Sequence, residues 1–319
     1  MNPHSSPTSL LGIIPPLATP LREQNSLDAH GFERLINHTI DGGVHGLFVL
    51  GTTGEGASLS RELRLEVIRL SCQWAAGRAP VLVGITETAY AESVRLAHAA
   101  AAAGAVAAVV APPYYFRYSQ SDLLYYLEQL ADEVTLPLML YNMPQCSKIA
   151  YAVNTVRRAS EIPNVIGLKD SSGDLAYLEQ VIASVSHRPD FGVFIGPEEQ
   201  LVDGLRAGAC GGVSGGANLF PRLYVDTCEA ALRGEWAEAE RLQNIIRQVS
   251  DALYRIGDPD SSYLRGLKAA LSVEGICSDL PALPFTRFTA DERQAIEMGM
   301  ESIRAIAGAH PALLRTLSS

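Results

Sequence analysis

Only three of the 319 residues are lysines, at positions 148, 169 and 268, and one of them stands where a charge is costly. Lys169 lies near the end of the run Val165-Ile166-Gly167-Leu168-Lys169-Asp170. Pro163 precedes this run and Ser171-Ser172-Gly173 follows it, so it reads as a short buried strand. An ammonium group there loses its hydration, which is expensive unless the group is paired or neutral. A strand-end lysine can also reach out to water or pair with the adjacent Asp170. The alternative with chemical content is an amine kept neutral by desolvation and used as a nucleophile towards a carbonyl.

Three other stretches carry groups that could serve such a nucleophile. Gly51-Thr52-Thr53-Gly54-Glu55-Gly56 sets adjacent hydroxyls and turn amides between glycines, a nest suited to a carboxylate or phosphate, although capping threonines in a plain turn would look the same. It has neither the Gly-Lys-Ser/Thr of a nucleotide P-loop nor a GxGxxG dinucleotide fingerprint. Tyr141-Asn142-Met143-Pro144 offers a phenol that can relay protons if it lies near a neutral amine, and that otherwise packs at a strand end. Pro112-Pro113-Tyr114-Tyr115-Phe116 is an aromatic loop, a type more often used for packing or interfaces than for catalysis.

The elements that must position these groups alternate along the chain. Apolar strands are expected at 12–18, 44–50, 80–85, 105–111, 136–141, 165–170, 191–195 and 209–214. Amphipathic helices fall between them, such as 28–41 with Phe32, Leu35, Ile36 and Ile40 on one face. Eight strand–helix units with short links predict an α/β fold, a (β/α)8 TIM barrel, with an open doubly wound sheet as the alternative. Beyond Gly234 the strand pattern stops, and three helices are expected at 236–256, 263–273 and 290–307. The expected organisation is a polar tail over 1–11, a barrel over 12–233 and a C-terminal three-helix appendage within 234–319. In a barrel the reactive groups belong at the C-terminal ends of the strands, where all four motifs fall.

Bulk properties narrow the function classes. A hydrophobic fraction of 47% supports a large core, and a net charge of −10 argues against nucleic acid or an anionic membrane as partner. No apolar run approaches the roughly 20 residues of a membrane span. Five scattered cysteines without a CxxC make a disulfide framework or zinc site improbable and suggest a cytoplasmic protein. Seven scattered histidines include no HExxH, so no metal ligand set is visible.

Taken together and in order, GTTGE, PYY, YNxP and GLKDSSGD resemble the dihydrodipicolinate synthase / N-acetylneuraminate lyase family of pyruvate-dependent class I aldolases, over Gly12 to about Ile306. The resemblance implies that Lys169 forms a Schiff base with C2 of pyruvate or of a 2-keto acid, and that Tyr141 moves protons. It implies that Thr52 and Thr53 hold the pyruvyl carboxylate, with Thr52 also linking the tyrosines. Tyr115 matches the tyrosine that a neighbouring subunit inserts, and Gly196 and Ser214 match positions facing the second substrate. A homotetramer, a dimer of dimers, is implied, and neither metal nor organic cofactor is required. One position departs from the synthase pattern: Cys146 stands five residues after Tyr141, where an arginine binds the carboxylate of aspartate semialdehyde. A thiol cannot make that bidentate contact. The expected activity is therefore cleavage or formation of a 2-keto-3-deoxy sugar acid from pyruvate and an aldehyde. The alternatives are dihydrodipicolinate synthase itself and a non-catalytic barrel that binds a 2-keto acid.

Overall fold

The computed structural model describes residues 10–307. Its strands are β1 (Gly12–Ile13), β2 (Leu21–Glu23), β3 (Ser26–Leu27), β4 (Leu47–Val49), β5 (Val81–Gly84), β6 (Ala107–Val110), β7 (Leu138–Asn142), β8 (Val165–Asp170), β9 (Gly192–Ile195) and β10 (Gly211–Gly212). Its α-helices are α1 (Ala29–Asp41), α2 (Arg61–Ala75), α3 (Tyr90–Ala103), α4 (Gln120–Glu133), α5 (Pro144–Ser147), α6 (Val153–Ala159), α7 (Leu175–Ser184), α8 (Leu201–Ala207), α9 (Pro221–Leu232), α10 (Trp236–Leu253), α11 (Ser262–Val273) and α12 (Ala290–Ala307). Of the tail expected over 1–11, residues 1–9 lie outside the described residues, as do residues 308–319.

The eight strands other than β2 and β3 form one parallel sheet, in the order β1-β10-β9-β8-β7-β6-β5-β4. The sheet closes on itself through the segment after β1. Phe48 N–H donates to the Pro15 carbonyl at 2.9 Å, and Leu17 N–H donates to the Phe48 carbonyl at 2.7 Å. The fold is the (β/α)8 barrel expected from the alternation, and the open sheet is excluded. The first strand is shorter than the expected 12–18 because Pro15 and Pro16 have no N–H to donate; the Pro15 carbonyl and the Leu17 N–H make the seam instead. The antiparallel pair β2–β3 and the four-residue α5 were not expected, and the helix expected from Glu198 begins as a 3₁₀ turn over Glu198–Gln200.

Alternation along each strand divides the apolar side chains between two layers. Phe48, Leu82, Ala107, Val109, Met139, Tyr141 and Phe194 fill the barrel interior. Leu47, Val49, Val81, Val83, Ala108, Val110, Leu138 and Leu140 face the helices. The outer layer continues into the C-terminal helices, where Leu242, Ile245 and Ile246 of α10, Leu267 and Leu271 of α11, and Ile296 and Met300 of α12 belong to the same core. Some helix starts are fixed by side-chain caps: Asp28 accepts from Gly31 N–H at 3.0 Å at α1, and Ser119 with Asp122 forms a capping box at α4. Among the described residues no helix is long and apolar enough to cross a membrane.

Candidate active site

A single irregularity in the sheet sets the position of Lys169. Leu138 pairs with Val165, but Met139 pairs with Gly167, so Ile166 is skipped. From there Tyr141 lies opposite Lys169, which in turn lies opposite Phe194 on β9. A bulge of this kind re-aims every side chain beyond it. Val165 faces the helices, and Lys169 turns inward with Tyr141 and Phe194. Lys169 is only 4% exposed, so the reading in which its head group reaches water does not hold.

Pairing with Asp170 does not hold either. Asp170 faces away from the barrel axis and spends its oxygens elsewhere. It accepts from Asn142 Nδ2 at 2.8 Å, from Ser172 Oγ at 2.9 Å and from Ser172 N–H at 3.2 Å. Burial pushes its carboxyl above the usual range, against the pull of those hydrogen bonds. The Lys169 Nζ instead lies 4.1 Å from the centroid of the Tyr141 ring and 5.3 Å from that of Phe48. Among the described residues it has neither a hydrogen-bond partner nor a carboxylate partner.

The Thr52–Thr53 loop leaves the end of β4 through a backbone that only glycine allows at two points. A Cβ on Gly54 would come within 2.9 Å of the Leu17 carbonyl oxygen, and one on Gly56 within 2.3 Å of the Leu50 carbonyl oxygen. The loop hugs the strand ends and presents Thr52 over the barrel mouth. The Thr52 Oγ1 and the Tyr141 hydroxyl are 3.1 Å apart, a hydrogen bond that joins β4 to β7 across the site. Thr53 is buried, and its hydroxyl meets that of Tyr263 on α11.

Backbone bonds tie the neighbouring strand ends together: Ser171 N–H to the Asn142 carbonyl at 2.8 Å, Gly196 N–H to the Asp170 carbonyl at 2.7 Å, and Val213 N–H to the Ile195 carbonyl at 2.8 Å. Gly196 makes room for Ser171, whose hydroxyl oxygen lies 2.0 Å from where a Cβ would stand. Ser214 is fully buried, and its hydroxyl has no hydrogen-bond partner among the described residues. Cys146 sits on α5, a helix the alternation did not suggest. Burial pushes its thiol up, against the pull of Lys148, Thr52 and Lys169 nearby. The residue as a whole is exposed, so its thiol lies on the rim of the site. Lys148 itself donates to the Gln145 carbonyl at 2.7 Å.

The Thr53 side chain is buried towards Tyr263, whereas Lys169, Tyr141, Thr52 and Cys146 are brought together. Tyr115 is not: it is 78% exposed, stacks edge-on against Phe116 at 5.1 Å, and makes no hydrogen bond to Thr52 or Tyr141 within the chain. Three neighbours of the site were missed from the sequence. Glu198 follows β9 and is fully enclosed, accepting from the Tyr224 hydroxyl at 2.6 Å and from Gly216 N–H at 2.8 Å. Burial, reinforced by Glu199, pushes its carboxyl up to about 7. Lys268 of α11 forms an ion pair with Glu55, directly beneath the threonine loop. Tyr263 lies one and a half turns earlier on the same helix. The Gly196-Pro197-Glu198 run at a strand end was the one available signal for Glu198; nothing local signals the other two. Among the described residues no group of three or more His, Cys, Asp or Glu could hold a metal ion.

Comparison with known proteins agrees with this geometry. The sequence pattern of the dihydrodipicolinate synthetase family matches residues 9–303. A 4-hydroxy-tetrahydrodipicolinate synthase of Phenylobacterium zucineum is 36% identical over 278 residues, covering 86% of this chain and 91% of that one. One from Ectopseudomonas mendocina is 32% identical, covering 93% of this chain and all of that one. The solved dihydrodipicolinate synthase from Bacteroides thetaiotaomicron superposes with a TM-score of 0.89 at 49% identity, covering 92% of this chain and 98% of that one. YagE, an E. coli K12 prophage protein of the same family solved in complex with pyruvate, gives 0.87 at 31% identity, covering 93% and 99%. The chain belongs to the dihydrodipicolinate synthetase family and is an enzyme of the lyase class, a class I aldolase.

Proposed function

We propose, from the premise of membership in the dihydrodipicolinate synthetase family, that Lys169 condenses with pyruvate and that the resulting enamine adds to an aldehyde. The observation that carries this is the enclosed Lys169 amine, without a partner, 4.1 Å from the Tyr141 ring whose hydroxyl is tied to Thr52. The amine nitrogen adds to C2 of pyruvate, and loss of water leaves an iminium ion. That ion withdraws electrons from C3, which gives up a proton and becomes the carbon nucleophile of an enamine. C3 bonds to the aldehyde carbon, the new alkoxide takes a proton, and water returns to C2 to release product and lysine. Tyr141, bonded to Thr52, is placed to move those protons. The hydroxyls and amides of Thr52 and Thr53 hold the pyruvyl carboxylate, and Gly196 and Ser214 face the acceptor. Tyr115 completes the site of a neighbouring copy in a tetramer.

For the acceptor, the names of the relatives favour aspartate semialdehyde, and with it the 4-hydroxy-tetrahydrodipicolinate synthase reaction. This displaces the sugar-acid reading as the first choice. That second reading keeps one specific support: the position five residues after Tyr141 is the thiol of Cys146, facing Thr52 and Lys169, with no guanidinium there. Borohydride reduction with pyruvate is expected to add a pyruvyl mass at Lys169, and an unmodified Lys169 would overturn the proposal. Turnover of pyruvate with aspartate semialdehyde, set against cleavage of 2-keto-3-deoxy sugar acids, decides the acceptor.

A further inference from the structure

The loop that carries Thr52 and Thr53 is held from below by charges that the reaction itself does not use. Glu55 has a side chain 3% exposed, and that of Lys268 is 0% exposed. The Lys268 ammonium donates to Glu55 Oε1 and, at 2.8 Å, to the Thr19 carbonyl. The second carboxylate oxygen of Glu55 accepts from Ala282 N–H at 2.6 Å. Thr19 in turn donates its hydroxyl to the Gly54 carbonyl at 2.7 Å, and Glu55 N–H donates to the Thr52 carbonyl at 3.0 Å. The pair therefore grips the loop at Glu55 directly and at Gly54 through Thr19. Tyr263, on the same helix as Lys268, meets the Thr53 hydroxyl.

The backbone says why a glutamate stands there. Glu55 has a φ of 55°, in the left-handed region that favours glycine. If the turn alone mattered, glycine would serve it better, and the loop already uses glycine on both sides. A charged residue held in a strained conformation points to a duty for its side chain. A buried ion pair is a weak source of net stability, because desolvation offsets the attraction, so stability is a poor account of this one. Geometry supplies another account. Thr52 is bonded to Tyr141 at 3.1 Å, already long for two hydroxyls, and a displacement of about 1 Å would break that bond and misplace the carboxylate nest.

We infer that the Glu55–Lys268 pair is a positioning device for the carboxylate-binding loop, so that helix α11 belongs to the catalytic apparatus of the barrel. The inference rests on the reading that Thr52 and Thr53 hold the pyruvyl carboxylate. Its test compares Glu55→Gln, Lys268→Met and the double variant in the full chain. The readouts are the thermal midpoint, the pyruvate concentration that gives half-maximal borohydride trapping of Lys169, and the KM for the aldehyde. Each single variant leaves a buried charge or carboxyl group without its partner and loses stability. The double variant removes both charges and recovers the thermal midpoint. The expected result is that the double variant still needs about tenfold or more pyruvate for half-maximal trapping, with full trapping at saturation and an unchanged aldehyde KM. A double variant with both wild-type stability and wild-type pyruvate dependence would overturn the inference and leave the pair a structural one. If the double variant does not fold, Tyr263→Phe takes its place, removing only the hydroxyl on Thr53. A raised pyruvate requirement without loss of thermal midpoint supports the role of α11, and an unchanged one refutes it. Failure of the wild-type protein to be trapped at all would instead refute the Schiff-base reading.

Discussion

Two of the three lysines are buried, and they are buried in opposite ways. Lys268 is closed off from water and sits against Glu55 and the Thr19 carbonyl, with its charge answered on two sides. Burial lowers its pKa, and Glu55 resists that shift. Lys169 is buried nearly as deeply, 4% against 0%, yet it meets aromatic rings and no anion. On the proposed reading the same side chain is a strut in one place and a reagent in the other, and the neighbour decides which. An amine already engaged by a carboxylate is not free to attack a carbonyl, whereas the proposed role of Lys169 calls for an amine with no such partner.

Substitutions can break this contrast, beginning with Lys169. Lys169→Ala should abolish the pyruvate adduct and reduce turnover by about a thousandfold or more, with little loss of thermal midpoint, since no partner is orphaned. Tyr141→Phe keeps the ring against Lys169 and removes only the hydroxyl. Turnover should fall by about 10²–10⁴ while borohydride trapping at saturating pyruvate survives, which separates proton transfer from the environment of the amine. Lys268→Met should show the reverse of Lys169→Ala. Stranding Glu55 should cost about 3–5 kcal/mol in denaturant unfolding. Cys146→Arg sets a cation on the rim beside Thr52. It should raise kcat/KM for aspartate semialdehyde by about 10–100-fold over the wild type, as one charged hydrogen bond of about 1.5–3 kcal/mol would; no gain would mean that the carboxylate does not bind there.

The smallest effect extends the contrast to carboxyls. Glu55 has a lysine, whereas Glu198 has the Tyr224 hydroxyl and the amides of Gly215 and Gly216, with Glu199 nearby, and burial pushes it up to about 7. Because the folded value lies above the ordinary one of about 4.5, the folded state holds a proton that the unfolded chain releases. Stability from this group is therefore full below about pH 4.5 and is lost as pH rises towards 7. Glu198→Gln should flatten that part of a thermal-midpoint profile measured between those values.

The barrel was legible because its signal is repeated eight times and each repeat is local. The candidate site was legible at the strand ends: Lys169, Tyr141, Thr52 and Thr53 each close an apolar run or open the loop after one. What could not be read depended on register or distance. Strict alternation from Val165 would place Lys169 on the helix-facing side, and only the skipped Ile166 turns it inward. The α5 turn under Cys146 is four residues long, too short for a periodic signal. Glu55 and Lys268 are 213 positions apart, and neither carries a local mark of the other.

That separation bears on how far the protein could be trimmed or recombined. A chain cut after α9 would keep every strand together with Lys169, Tyr141, Thr52 and Thr53, yet would leave the buried Glu55 carboxylate without Lys268. Grafting the barrel of one homologue onto the tail of another meets the same obstacle unless both partners travel together. On the proposed reading the smallest workable catalyst built from this sequence extends at least through α11 and Ala282, although the proposed site residues end at 214.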